Sequence, residues 1–185
     1  IGITFDPTLK EEGITLISNQ EDNQYSFIKK EGKGAITTEG FTSHVGTNYI
    51  YFQVTSKFNT TQEPITIELE FFDEGEGLIL MEYNSTSDQV DNPNYKKIGI
   101  GYRLNSHQWK TATYVISDAR FQKLQNFGGD FRLSAEINPL IVRNIKITHG
   151  VRISSIATPV PTSKIPAAYP SPLGNKAVFT YYFYW

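Results

Sequence analysis

Cysteine is absent from the 185-residue chain, which excludes disulfides, thiolate nucleophiles and cysteine-ligated zinc together. Long apolar runs are absent too. The longest, 77–81 and 177–185, are strand-sized and far short of the roughly 20 residues that a bilayer-crossing helix needs, so no membrane span is expected. Charge of one sign is not in excess: 17 Lys and Arg stand against 19 Asp and Glu, a net of −2. With no basic block, nucleic acid is not an expected partner, because its phosphates are bound through clustered Lys and Arg. A nucleophile-elbow pattern, an H-E-x-x-H pair and a phosphate-cradling glycine loop are also missing, and with them the chemistry those motifs carry. The chain begins at Ile1 without a leader pattern, so a processed or excised piece of something longer is expected.

What is abundant is aromatic: 11 Tyr, 12 Phe and 2 Trp, enough apolar mass to build a core. The apolar residues recur with a period of two, the mark of half-buried strands. The clearest case is Ile65-Thr66-Ile67-Glu68-Leu69-Glu70-Phe71, followed by the acidic, glycine-punctuated turn 73–77 and a returning run at 78–83, a hairpin. Similar runs at 14–18, 25–29, 35–38, 48–55, 97–103, 110–117, 130–136 and 140–148 bring the total to about ten strands separated by turn residues. No window carries an amphipathic helical stripe. The expectation is an all-β, jelly-roll-like antiparallel β-sandwich over 1–150, a Pro-rich linker over 151–174 holding Pro159, Pro161, Pro166, Pro170 and Pro172, and an aromatic strand over 175–185 that opens a truncated following domain or adds an edge strand to this one.

One strand carries a misfit. In 140–147, Arg143 shares a face with Ile141, Ile145 and Ile147, so either it is buried against a carboxylate, Asp118 or Asp130 being candidates, or a bulge near Asn144 resets the register.

Candidate chemistry is sparse. His44, His107 and His149 lie far apart without ligand spacing and read as surface histidines. Glu68 and Glu70 lie on one strand face about 6.6–6.8 Å apart, a separation glycoside cleavage could use, but alternation places them on the solvent face, where nothing raises a carboxyl pKa. The twelve-residue segment 84–95, bracketed by Tyr83 and Tyr95, is longer than a hairpin requires. Its Asp88, Asp91 and Asn92 can hydrogen-bond sugar hydroxyls, while Tyr83 and Tyr95 can stack on the C–H face of a pyranose. The candidate carbohydrate-binding set is therefore Tyr83, Asp88, Asp91, Asn92 and Tyr95. The same oxygen-rich loop could hold Ca²⁺, or no ligand at all. Asn59-Thr60-Thr61 and Asn84-Ser85-Thr86 match the N-glycosylation pattern. Trp109 opens a strand and could stack on a ligand, but beside Tyr102 and above a core it reads as a packing residue.

From Trp109 onward the motifs resemble a known family. Trp109-Lys110-Thr111-Ala112-Thr113, Asp118-Ala119-Arg120-Phe121, Gln125-Asn126 and Gly128-Gly129-Asp130-Phe131-Arg132, with Tyr51-Phe52-Gln53-Val54 and Phe72-Asp73-Glu74-Gly75 upstream, resemble carbohydrate-binding-like β-sandwich modules appended to bacterial secreted polysaccharide-degrading enzymes. The resemblance covers 49–147. It implies a polysaccharide or oligosaccharide ligand, a catalytic domain in the same polypeptide, and a secreted or cell-surface location. Asp118, Arg120, Asp130 and Arg132 read as ion pairs that fix loops at one end of the sandwich. The tail 178–185 is similar to the first barrel strand of α-mannan-type and related glycoside hydrolases. Three functions are compatible with these observations: a non-catalytic carbohydrate-binding module, a structural spacer packing on a glycoside hydrolase domain, and a small sandwich lyase or hydrolase using Glu68 and Glu70 or the 84–95 loop.

Overall fold

Alternation along the strands builds two facing sheets. In β7 (Ile65–Phe72), Ile65, Ile67, Leu69 and Phe71 are buried, while Glu68 and Glu70 point outward. β8 (Glu76–Tyr83) turns Ile79, Met81 and Tyr83 inward and leaves Leu78 and Leu80 partly exposed. β11 (Phe131–Ala135) buries Phe131, Leu133 and Ala135 on the same side. Fully burying each Ile, Leu, Met or Phe side chain contributes roughly 1.5–3 kcal/mol, and the core fills the space between the sheets, with Phe52 stacked on Phe131 at 4.9 Å.

The computed structural model describes residues 1–17, 26–30, 33–37, 49–58, 63–136 and 140–151. They hold twelve strands. The remaining elements are β1 (Gly2–Thr4), β2 (Lys10–Glu12), β3 (Ile14–Leu16), β4 (Ser26–Lys30), β5 (Lys33–Thr37), β6 (Ile50–Val54), β9 (Lys96–Leu104), β10 (Trp109–Ile116) and β12 (Ile141–His149). One sheet runs β10-β7-β12-β1-β2, with β5 also on β12 and β4 on β5; the other runs β3-β6-β11-β8-β9. Each named pairing is antiparallel. The all-β, jelly-roll-like sandwich expected from the period of two is the observed architecture. The additional strands are β1 and β2. All three side chains of β2 are exposed, so no alternation marks it.

The edges β9 and β10 approach each other at Gly101, where an added Cβ would stand 3.0 Å from the Ala112 Cβ. The misfit at Arg143 resolves through a bulge, because the register against β7 shifts between Val142 and Asn144. The extra residue meets Glu70, with Asp6 3.9 Å away, rather than Asp118 or Asp130. These elements lie in one compact unit, Ile1–Ile153. The linker and aromatic strand expected after residue 151, His44 and the Asn59 glycosylation pattern fall outside the described residues. Among the described residues no helix is long and apolar enough to cross a membrane.

Candidate functional site

The two tyrosines expected to bracket one site part ways. Tyr83 ends β8 with inward parity, is 2% exposed, and donates its hydroxyl to Asp118 Oδ1 at 2.7 Å. Burial, then the Asp118 carboxylate, pushes the Tyr83 phenol far above its ordinary value. Its ring cannot reach a ligand from the core. Tyr95 returns from the loop to the outer side of the sheet, where its hydroxyl donates to Asn126 Oδ1 and accepts from the Asn126 N–H, each at 2.7 Å.

Between them the loop is fastened at both ends. Asn84 is fully buried, donating to the Asn94 carbonyl at 3.0 Å and accepting from the Leu124 N–H at 3.3 Å, so this asparagine is closed to glycosylation in the folded chain. Ser85 donates to Asp118 Oδ2 at 2.7 Å, and Lys96 pairs with the same oxygen. Burial pushes the Asp118 carboxyl up, but Lys96, Tyr83 and Ser85 together outweigh it and hold it below the ordinary aspartate range. The tip is open. Asp88 accepts from Gln89, Asp91 is exposed, and Asn92 caps the 3-10 turn Pro93–Tyr95 by accepting from the Asn94 N–H at 3.3 Å. Among the described residues no group of three or more His, Cys, Asp or Glu could hold a metal ion, so the loop offers Ca²⁺ no carboxylate cluster.

A second cluster, unforeseen as a site, gathers on the outer face of the five-stranded sheet. Arg132 lies directly across from Glu82 on one side and Tyr51 on the other. Its Nε and Nη2 both donate to Glu82 Oε2, the former at 2.7 Å, and its Nη1 donates to the Tyr51 hydroxyl at 2.6 Å. The guanidinium carbon lies 3.6 Å from the Tyr49 ring centroid and 4.5 Å from that of Tyr95, within cation–π range of both. Burial alone would lower the Arg132 pKa, but Tyr51 and Glu82 more than compensate and the group is held charged. Glu82 gives its other oxygen to Lys97, 3.0 Å away and opposite it on β9. Tyr51 lies beneath Phe127, edge-on at 5.5 Å. Phe127 adopts φ 58°, a left-handed conformation rare for a bulky residue. At Gly129, two residues on, an added Cβ would stand 3.2 Å from the Tyr51 ring.

The remaining polar residues hold loops. Asp118, Arg120, Asp130 and Arg132 do not pair with one another as expected. Asp130 is fully buried and accepts from the backbone N–H of Val54 at 2.8 Å and Lys123 at 2.6 Å, and burial pushes its carboxyl up despite them. Asp73, also fully buried, accepts from the Leu104 and Ser106 N–H groups and pairs with Lys110 at 2.6 Å. Burial raises its carboxyl, yet Lys110, Ser106 and these backbone donors hold it well below the ordinary range. Glu68 and Glu70 lie on the outer face of the seven-stranded sheet beside Lys146 and Arg143. Trp109 packs not in the core but on that same face, 5.4 Å edge-on from Phe72 and 4.3 Å from the Arg143 guanidinium. His107 is exposed, and His149 stacks on Phe58 at 4.2 Å.

No family model matches the chain, and no curated protein matches it in sequence. In three dimensions it is similar to the family 29 carbohydrate-binding module of Piromyces equi, with a TM-score of 0.51 and 15% identity, over 80% of this chain and 89% of that one. The likeness is one of fold.

Proposed function

We propose that the chain is a non-catalytic carbohydrate-binding module of a secreted polysaccharide-degrading enzyme, and that it holds its glycan on the outer face of the five-stranded sheet. The observation that carries this reading is the placement of the half-buried Tyr49 and Tyr95 rings against Arg132 on a face that alternation assigns to solvent, with the fully buried Tyr51 fixing the guanidinium from below. Partly buried aromatic rings beside a fixed polar network suit a ligand with alternating C–H and hydroxyl faces. Asp88, Asp91 and Asn92 at the neighbouring loop tip supply oxygen and nitrogen partners for sugar hydroxyls. The sandwich it shares in outline with a carbohydrate-binding module supports the same class. The carboxyls whose pKa values are shifted, Asp73, Asp118 and Asp130, each fasten loops rather than converge as an acid–base pair, which argues against the lyase or hydrolase reading.

A second reading, a spacer packed on a catalytic domain, draws on the exposed Tyr102 and Leu104 along the edge strand β9. Isothermal titration of the chain against plant, algal and fungal polysaccharides, with and without calcium, separates the two. Saturable binding weakened by Tyr95→Ala supports the module; no binding to any polymer leaves the spacer.

A further inference from the structure

The outer-face cluster is unbalanced in charge. Glu82, with its side chain 3% exposed, serves two cations at once, Arg132 through Oε2 and Lys97 through Oε1. Among the described residues, one negative charge against two positive leaves a local surplus of one positive charge, in a chain whose net charge is −2. Arg132 commits three N–H groups, two to Glu82 and one to Tyr51, and a guanidinium has five. The Lys97 ammonium has one carboxylate contact and a side chain that is 55% exposed, so it still faces solvent. Asp88 and Asp91 on the preceding loop pair with neither cation. On the opposite face the balance is reversed, since Arg143 stands between two carboxylates, Glu70 and Asp6.

Surplus cationic donors beside tyrosine rings select for charge as well as shape. We propose that the bound glycan is anionic, with a carboxylate or sulfate ester of the sugar seated against Lys97 and Arg132 while the ring rests on Tyr95. This rests on the carbohydrate-binding reading above and names its substrate class.

The test is titration of the full chain with polygalacturonate, a carrageenan and a neutral galactomannan, at low and at physiological salt. The expected result is preference for an acidic polymer by about tenfold or more, declining with salt as the charges are screened. Lys97→Gln should weaken that binding about threefold to tenfold, and Lys97→Arg should restore it. Lys97 is exposed, so neither substitution should disturb the fold, and circular dichroism of both variants checks this. Binding of polygalacturonate alone assigns the anion as a carboxylate, of carrageenan alone as a sulfate ester, and of both as an anion of either kind. Equal, salt-insensitive binding of the galactomannan, unchanged by Lys97→Gln, would overturn the anionic proposal and leave the module reading standing. Failure to bind any of the three, extended across a broad glycan panel, would remove both.

Discussion

Each outer face of the sandwich carries an arginine against an aromatic ring and a glutamate on a neighbouring strand, but burial and charge separate the two arrangements. On the five-stranded sheet the Arg132 side chain is 13% exposed and that of Glu82 3%, with tyrosine rings around the guanidinium. On the seven-stranded sheet Arg143 and Glu70 are 25% and 26% exposed, with Trp109 on the guanidinium and Asp6 as a second acid. The first pair is desolvated and shares the Glu82 carboxylate with Lys97; the second is wetter and has two acids beside its guanidinium. The same device can thus fix a strand bulge on one face and hold a charged, half-dry platform on the other.

The contrast makes a stability prediction first. Arg132→Met leaves the nearly buried Glu82 with the exposed Lys97 alone and strips its Oε2 of both guanidinium donors, which should cost about 2–3 kcal/mol. Arg143→Met leaves Glu70 able to hydrate and should cost about 1 kcal/mol. Chemical denaturation of both variants checks the difference, and equal losses would mean that the two faces are energetically alike. Next comes binding. Tyr95→Ala should weaken glycan affinity about tenfold, as truncation of an aromatic anchor does, while Trp109→Ala on the opposite face should leave it unchanged. If Trp109→Ala weakened binding and Tyr95→Ala did not, the ligand would belong on the seven-stranded sheet.

Why the first face escaped notice in the sequence is a matter of range. Alternation in 65–71 exposes the strand at once, and the same parity, applied to Phe131-Arg132-Leu133, puts Arg132 outside. Carried back along Ile79, Met81 and Tyr83, it also turns Tyr83 inward, which the bracketing of the 84–95 loop had obscured. What parity cannot supply is the neighbour. Arg132 meets Glu82 and Tyr51 only because β11 lies between β8 and β6, and those residues are 50 and 81 positions away. The bulge at Arg143 shows in the broken alternation of its own strand, but its partner is equally non-local, since Glu70 comes from another strand. Strand β2, a run of three exposed polar residues, carries no periodic signal at all.

The smallest effect sharpens the comparison through pH. Lys96 and Lys97 are neighbours on β9, yet Lys96 pairs with Asp118 beneath the 84–95 loop and Lys97 pairs with Glu82 outside. The folded Asp118 value lies below the ordinary 3.8. Its contribution to stability is therefore complete above the unfolded value and is lost as pH falls through the folded one. Asp73 follows the same sign, while Asp130, raised by burial, runs the other way and regains stability as pH falls through its folded value toward 3.8. Asp118→Asn should thus be less stable than the parent at neutral pH and approach it below about pH 4. Because Asp118 anchors the segment that delivers Tyr95, the parent's glycan affinity should fall over the same acid range, and the Asn variant should show a weaker, flatter profile. A stability difference that stays constant down to pH 2 would show that the carboxylate's charge has no part in holding the loop, and that the hydroxyls of Tyr83 and Ser85 are held by shape alone.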